Sequence, residues 1–555
     1  MPTKRLALVI RGAVSLGSYE GGVLYELLRA LEHHNHRLPP GSDQRICIDV
    51  LVGASAGSMT AAITTQVLLG ARDKLVGAHD NPFYQAWVRD VTLAGLLRYR
   101  PGEYDAGSLL SGRFITELAD KHLGTTPTGV PHSAKPATGR LHFAFALSSL
   151  RGLDYDATSN AAFPCTRFQD EWCGSIDLAT PAAADWTEIR TAAITSGAFP
   201  AAFPVRFLTR RRSDYNETYL SPKDWPATEP TKDIPYVDGG VFNNEPLGLA
   251  KGLVDLNDHH RDTDRRFYLY VSPSPKLSAR NKDFPSRDVP LLDMGGHLLG
   301  AMLGQAQYQD LTALAKTNRR IAALDTTARS LATLISGNAG FAASLQQTSP
   351  ALAAAAFANR ADGEETLQAA MDRLIGEYAG EPWFQANLPA GPALAAWAQL
   401  LAAFERTASL QQKDTMHLLT ICADDTELLG DPLAHFGGFT CEGARHYDYE
   451  VGRDKTQRWL RSENPLGLDL TGYSFEPTNL AADRAAGVSA LAACAPDAGD
   501  QLGSRVAHQG KLLMARFGIG WPLNNLVASG INKLTAHYVT AALKKEAASP
   551  PPPVI

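Results

Sequence analysis

The first seventy residues constrain the fold most, because the spacing of apolar side chains changes there in a fixed order. Leu6 to Ile10 is a short unbroken apolar run, as in a strand covered on both faces. From Tyr19 onward Val23, Leu24, Leu27, Leu28 and Leu31 recur at helical spacing, and the stretch from His33 to Gly41 breaks it. Ile46 to Val52 is a second run, apolar except for Asp49, and Met59 to Leu69 again reads as helix. Strand, helix, strand, helix predicts a parallel sheet with helical faces.

Further strands are expected at Leu141 to Leu147, Phe267 to Val271 and Met416 to Cys422, each short and rich in apolar or aromatic residues. Arg210 to Pro235 carries three consecutive arginines and four prolines and reads as a long surface loop whose charges are solvated. Ile321 to Glu405 is rich in alanine and helical. Leu534 to Ala547 is a last helix, which Pro550 to Pro553 cannot continue. The expected organisation is a core over 1–275, a helical insertion or cap over 276–410, a strand and helices over 411–545 and a proline-rich tail over 546–555.

Several function classes drop out on composition. The 555 residues hold 52 Lys and Arg against 58 Asp and Glu, a formal charge of −6, so no general attraction to nucleic-acid phosphates is expected. Six scattered cysteines imply reduced thiols rather than a disulfide scaffold or metal cluster. Leu6 to Ile10 is too short for a secretory signal, and no window approaches 18 consecutive apolar residues. The expectation is a cytoplasmic chain whose contact with lipid, if any, is peripheral.

Three motifs carry chemistry. Gly53-Ala54-Ser55-Ala56-Gly57 fits G-x-S-x-G between a predicted strand and a predicted helix. A serine on so sharp a turn needs neighbours without bulky Cβ groups, and the turn lifts its Oγ clear of the sheet. Asp238 closes an apolar run and is followed by Gly239 and Gly240, where backbone can approach another loop; the plainer reading is an Asp-Gly turn. The turn after the first strand, Arg11-Gly12-Ala13-Val14-Ser15-Leu16-Gly17, sets backbone N–H groups ahead of a helix, where negative charge can develop. It lacks the G-x-G-x-x-G spacing of a dinucleotide site. None of the 15 histidines stands in a suggestive setting, and neither Asp49 nor Asp424-Asp425 has metal-ligand company at useful spacing, so these read as surface carboxylates.

A glycine turn after strand one, G-x-S-x-G after strand two and a later D-G-G, in that order, resemble the patatin-like phospholipases. Ile194-Thr195-Ser196-Gly197-Ala198-Phe199-Pro200 ahead of the D-G-G resembles the same family, and His446-Tyr447-Asp448-Tyr449 with Gly452-Arg453 resembles a segment of its larger bacterial members. The resemblance implies a three-layer α/β/α fold with a mostly parallel sheet and additional C-terminal helices. It implies a lipid acyl hydrolase with Ser55 as nucleophile, Asp238 as base, an acyl-enzyme intermediate, and neither metal nor other cofactor. Gly12, Ala13, Val14, Ser15 and Gly17 would form the oxyanion hole. The family's G-G-G-x-R/K-G departs here, with Ala13, Val14 and Leu16 replacing two glycines and the basic residue. A positive φ at Val14 would be costly.

The implied partner is a glycerolipid or phospholipid, met at a membrane or lipid aggregate; nucleic acid is not implied, and nothing sets an oligomeric state. Rim or lid candidates are Pro82 to Trp87, Leu93 to Leu97 and Leu291 to Leu303, all of which equally suit a core. Lys533, Lys544 and Lys545 suit anionic headgroups or the helix dipole. Two alternatives stay open: a Ser-His-Asp α/β-hydrolase, marked by an essential histidine, and a non-catalytic lipid-binding protein, marked by an inert Ser55.

Overall fold

The computed structural model describes residues 4–156, 164–181, 185–215, 222–257, 265–274, 315–358, 364–408, 410, 416–424, 427–433, 435–516 and 523–548. The expected features at 291–303 and 550–553, with His259, His260, His297 and Asp425, lie outside them. Contacts divide the chain into two compact units, one of residues 1–250, 265–308 and 418–555, the other of 251–264 and 309–417.

Eight strands of the first unit form one sheet: β1 (Lys4–Ile10), β2 (Ile46–Gly53), β3 (Arg140–Asp156), β4 (Pro164–Asp177), β5 (Arg206–Arg211), β6 (Thr231–Asp238), β7 (Arg266–Ser272) and β8 (Leu418–Cys422). Their order is β5-β6-β3-β2-β1-β7-β8, with β4 paired to β3. The five strands β3-β2-β1-β7-β8 are parallel, and β4, β5 and β6 pair antiparallel. Helices flank the sheet, giving a three-layer α/β/α arrangement completed by C-terminal helices Glu442–Ser462, Leu480–Arg516 and Leu523–Ala547.

The opening residues fold as their spacing predicts. Leu6 to Ile10 and Ile46 to Gly53 are buried along their length, and α1 (Gly17–Arg37) and α2 (Ala56–Gly70) follow them. Helix α1 runs past the expected break at His33, and His34 is buried on it, its Nε2 paired with the Gln44 carbonyl oxygen at 3.0 Å. Asp49 is not a surface carboxylate: it lies within β2 and takes both terminal nitrogens of Arg266 on β7, at 2.6 and 2.8 Å. A buried charge is tolerated when it is paired in this way.

The expected loop over Arg210 to Pro235 is also corrected, because it contains parts of β5 and β6. Alternation along β5 turns Leu208 and Arg210 inward. Arg210 is buried over the Tyr215 ring and donates to the Glu171 carbonyl at 3.0 Å.

Helix Glu442–Ser462 packs on α1 at a crossing that admits no side chains. A Cβ on Gly22 would lie 2.1 Å from the Tyr449 carbonyl oxygen, and one on Gly452 would lie 2.1 Å from that of Tyr19. Arg453, buried there, donates to Glu26 at 3.0 Å and to Glu450 at 2.8 Å. The C-terminal segment is thus built into the same core as the opening β-α-β unit.

The second unit is helical where described, with Ala339–Phe357, Leu367–Tyr378, Pro382–Asn387 and Pro392–Thr407 among its helices. Ile321, Leu331, Leu374, Trp397 and Leu401 make its core, and Arg373 bridges Glu365, Glu377 and Glu405.

Candidate active site

β2 ends at Gly53 and α2 begins at Ala56, so Ser55 sits on the turn between them with φ +51° and ψ −126°. A non-glycine residue there is strained and persists only where its surroundings enforce it. They do so sterically, since a Cβ on Gly53 would lie 2.5 Å from backbone atoms of Gly57 and one on Gly57 would lie 2.4 Å from the Ile10 carbonyl. Ser196 adds polar bracing: its Oγ accepts from the Ser55 amide at 2.9 Å and from Ser58 Oγ at 2.8 Å, and donates to the Ala146 carbonyl at 2.7 Å. Its place in the sequence hinted at the motif but not at this role.

Asp238 is the last residue of β6, and its amide donates to the Ala198 carbonyl at 2.9 Å. The turn that follows brings the Gly240 amide to 2.7 Å from Oδ1. Gly239 is required because a Cβ would lie 1.9 Å from the Ala146 carbonyl oxygen. The other carboxylate oxygen, Oδ2, accepts from Ser55 Oγ at 2.5 Å. Both side chains are buried. Burial pushes the Asp238 carboxyl up from 3.8 to about 7, against the opposing pull of hydrogen bonds from Ser55 and Gly240.

The first turn is held differently from a free row of donors. The Gly12 amide donates to the Asn244 carbonyl at 3.2 Å, the Ser15 amide to that of His435 at 3.1 Å, and the Leu16 amide to that of Ala13 at 2.9 Å. Among the described residues no backbone acceptor is paired with the Ala13 or Val14 amide. Val14 has φ +53°, the conformation that disfavours a β-branched residue most. Next to it, Ser15 Oγ donates to the His435 carbonyl and accepts from the Gly438 amide at 3.2 Å. Gly12 and Gly17 supply space: a Cβ on Gly12 would strike Asn244 at 2.0 Å, and one on Gly17 would strike the Trp87 ring at 2.7 Å.

Ser55 opens into a pocket walled by Val14, Met59, Trp87, Leu118, Phe199 and Phe439, with His122 also on its lining. Of the expected rim segments, Pro82 to Trp87 contributes Ala86 and Trp87, while Phe83 is buried in the main core. Leu96 packs in the cluster that also holds the pocket residues Val91, Phe203 and Phe439. His122 escaped the sequence reading. Its Nε2 pairs with Asp90 Oδ2 at 2.6 Å, and burial lowers its pKa from 6.5.

Residues 8–251 match the family model for patatin-like phospholipases. The chain carries a patatin-like phospholipase domain. Ser55, Asp238 and the turn at Gly12 lie within the match, whereas His435, Gly438 and Phe439, which brace that turn and the pocket, come from beyond it. An uncharacterized protein of Sinorhizobium fredii (strain NBRC 101917 / NGR234), y4iI, is 24% identical over 352 residues, covering 50% of this chain and 50% of its own. The chain thus spans about half the length of this curated relative. No helix among the described residues is long and apolar enough to cross a membrane.

Proposed function

We propose that the patatin-like domain hydrolyses carboxylic esters of glycerolipids or phospholipids with Ser55 and Asp238 as a catalytic dyad. The observation that carries this reading is the 2.5 Å hydrogen bond from Ser55 Oγ to Asp238 Oδ2 at an apolar pocket. An ordinary aspartate is a poor base for a hydroxyl, whereas one raised to about 7 is matched to proton transfer near neutral pH. Asp238 takes the Ser55 proton as Oγ bonds to the ester carbonyl carbon. The ester C–O bond then breaks, and the proton passes from Asp238 to the departing alcohol. Water gives a proton to Asp238 as it attacks the acyl-serine; the acyl–Oγ bond breaks, the proton returns from Asp238 to Ser55 Oγ, and a fatty acid leaves.

The oxyanion is assigned to the Ala13 and Val14 amides, because those of Gly12 and Ser15 already have acceptors. The strained turn is held by Ser15, a positioning residue. Ser15→Ala is expected to lower kcat about tenfold with KM nearly unchanged, since an ångström of drift at the donors is felt mainly in the transition state. Equal changes in both constants would point to a general packing defect.

His122 beside the pocket is the specific observation behind a Ser-His-Asp alternative. The dyad is favoured because the Ser55 hydroxyl is already bonded to Asp238. The deciding experiment is the pH profile of fatty-acid release from phosphatidylcholine vesicles by the parent and His122→Ala proteins. The base must be ionised, so kcat/KM should fall below an apparent pKa near 7 in both proteins. Loss of turnover in His122→Ala would overturn the dyad.

A further inference from the structure

Residues 79–84 and the helix Glu442–Ser462 meet at side chains that the hydrolytic site leaves unused. His79, His446 and Glu450 each bring a ligand-capable atom to within 4.8 Å of the others. His446 and Glu450 are one turn apart and so share a helix face. His79 reaches them from the other segment, with Nε2 2.8 Å from Glu450 Oε1 and its ring centroid 5.0 Å from that of His446.

The surroundings orient these groups as outer partners orient metal ligands. His446 Nε2 lies 3.6 Å from Asp483 Oδ1, and its Nδ1 is 2.9 Å from the Tyr84 hydroxyl. At 3.6 Å the Asp483 carboxylate is an ion-pair neighbour of the ring rather than a hydrogen-bond partner, and the Tyr84 hydroxyl must turn away from Nδ1 for that nitrogen to ligate. Both oxygens of Glu450 accept from Arg453 Nη1, at 2.8 Å to Oε2 and 3.0 Å to Oε1, and Oε1 also faces His79. Glu450 is buried while His79 is half exposed, so one side of the cluster is open to solvent.

We propose that His79, His446 and Glu450 are the protein ligands of a zinc-class divalent ion, with a fourth position left to water. Two imidazoles and one carboxylate suit zinc, whereas magnesium and calcium favour more oxygens. A ligating nitrogen carries no proton, so the hydrogen bond between His79 Nε2 and Glu450 Oε1 gives way when the ion binds. The ion ties the segment leading to Ala86 and Trp87 of the pocket wall to the C-terminal helix.

The test uses the full chain, stripped with EDTA, incubated with zinc sulfate and desalted, with zinc per chain measured by mass spectrometry. One zinc per chain is expected. His446→Ala and His79→Ala should each bind it at least about a hundredfold more weakly, and Asp483→Asn about tenfold. His79 is half exposed, so its variant keeps the fold, which circular dichroism checks. Cobalt in place of zinc should give the intense visible bands of a four-coordinate site in the parent alone. No retained zinc, or equal zinc in the parent and both histidine variants, would overturn the assignment. The readout is binding, so it stands or falls separately from ester hydrolysis.

Discussion

Ser55→Ala is expected to reduce fatty-acid release to about one thousandth of the parent rate or less. The substitution removes one oxygen whose hydrogen-bond partner is Asp238, and it leaves the steric enforcement of the turn by Gly53 and Gly57 intact. The apolar walls and the turn amides persist, so lipid should still enter the pocket. What disappears is the atom proposed to bond to the acyl carbon. Free fatty acid extracted from vesicle incubations and quantified by mass spectrometry measures the loss, and a residual rate within tenfold of the parent would assign the reaction elsewhere.

Asp238→Asn separates chemistry from stability. The amide cannot take a proton from Ser55, so turnover should fall as far as in Ser55→Ala, yet its oxygen can still accept from the Gly240 amide, now 2.7 Å from Oδ1. The stability effect has the opposite sign. Asp238 is raised in the fold from 3.8 to about 7. Its protonated form therefore fits the fold better, and stability from this group is full below the unfolded pKa and is lost as pH rises through about 7. At about 1.36 kcal/mol per unit, that shift corresponds to a few kcal/mol. The asparagine variant should accordingly unfold at a higher temperature than the parent at pH 8, and the gap should close toward pH 4. A variant less stable than the parent at pH 8 would contradict the burial argument.

Features with local spacing were legible in the sequence. Apolar periodicity located β1, α1, β2 and α2, and the small residues around Ser55 and after Asp238 marked turns where backbone comes close to backbone. Features set by distant pairing were not. β4 holds Pro164, Gly174 and several charges, and it becomes a strand because β3 pairs with it over most of its length. Arg210 looked solvated because three arginines in a row say nothing about which of them the β5 alternation turns inward. The bracing of Ser15 by His435 and Gly438 joins positions 420 and 423 residues apart, next to a Val14 whose positive φ valine itself does not favour. His122 lines the pocket only because the helix Gly112–Leu123 packs near it, and nothing in its neighbours' identity announces this.

The central claim is that Ser55 is made nucleophilic by Asp238 without help from a histidine. The most direct measurement is the mass and site of the adduct left by a fluorophosphonate probe on folded protein. One adduct on the peptide carrying Ser55 is predicted for the parent and for His122→Ala, with little or none for Asp238→Asn. An unlabelled parent, or labelling lost with His122 and kept without Asp238, would contradict it.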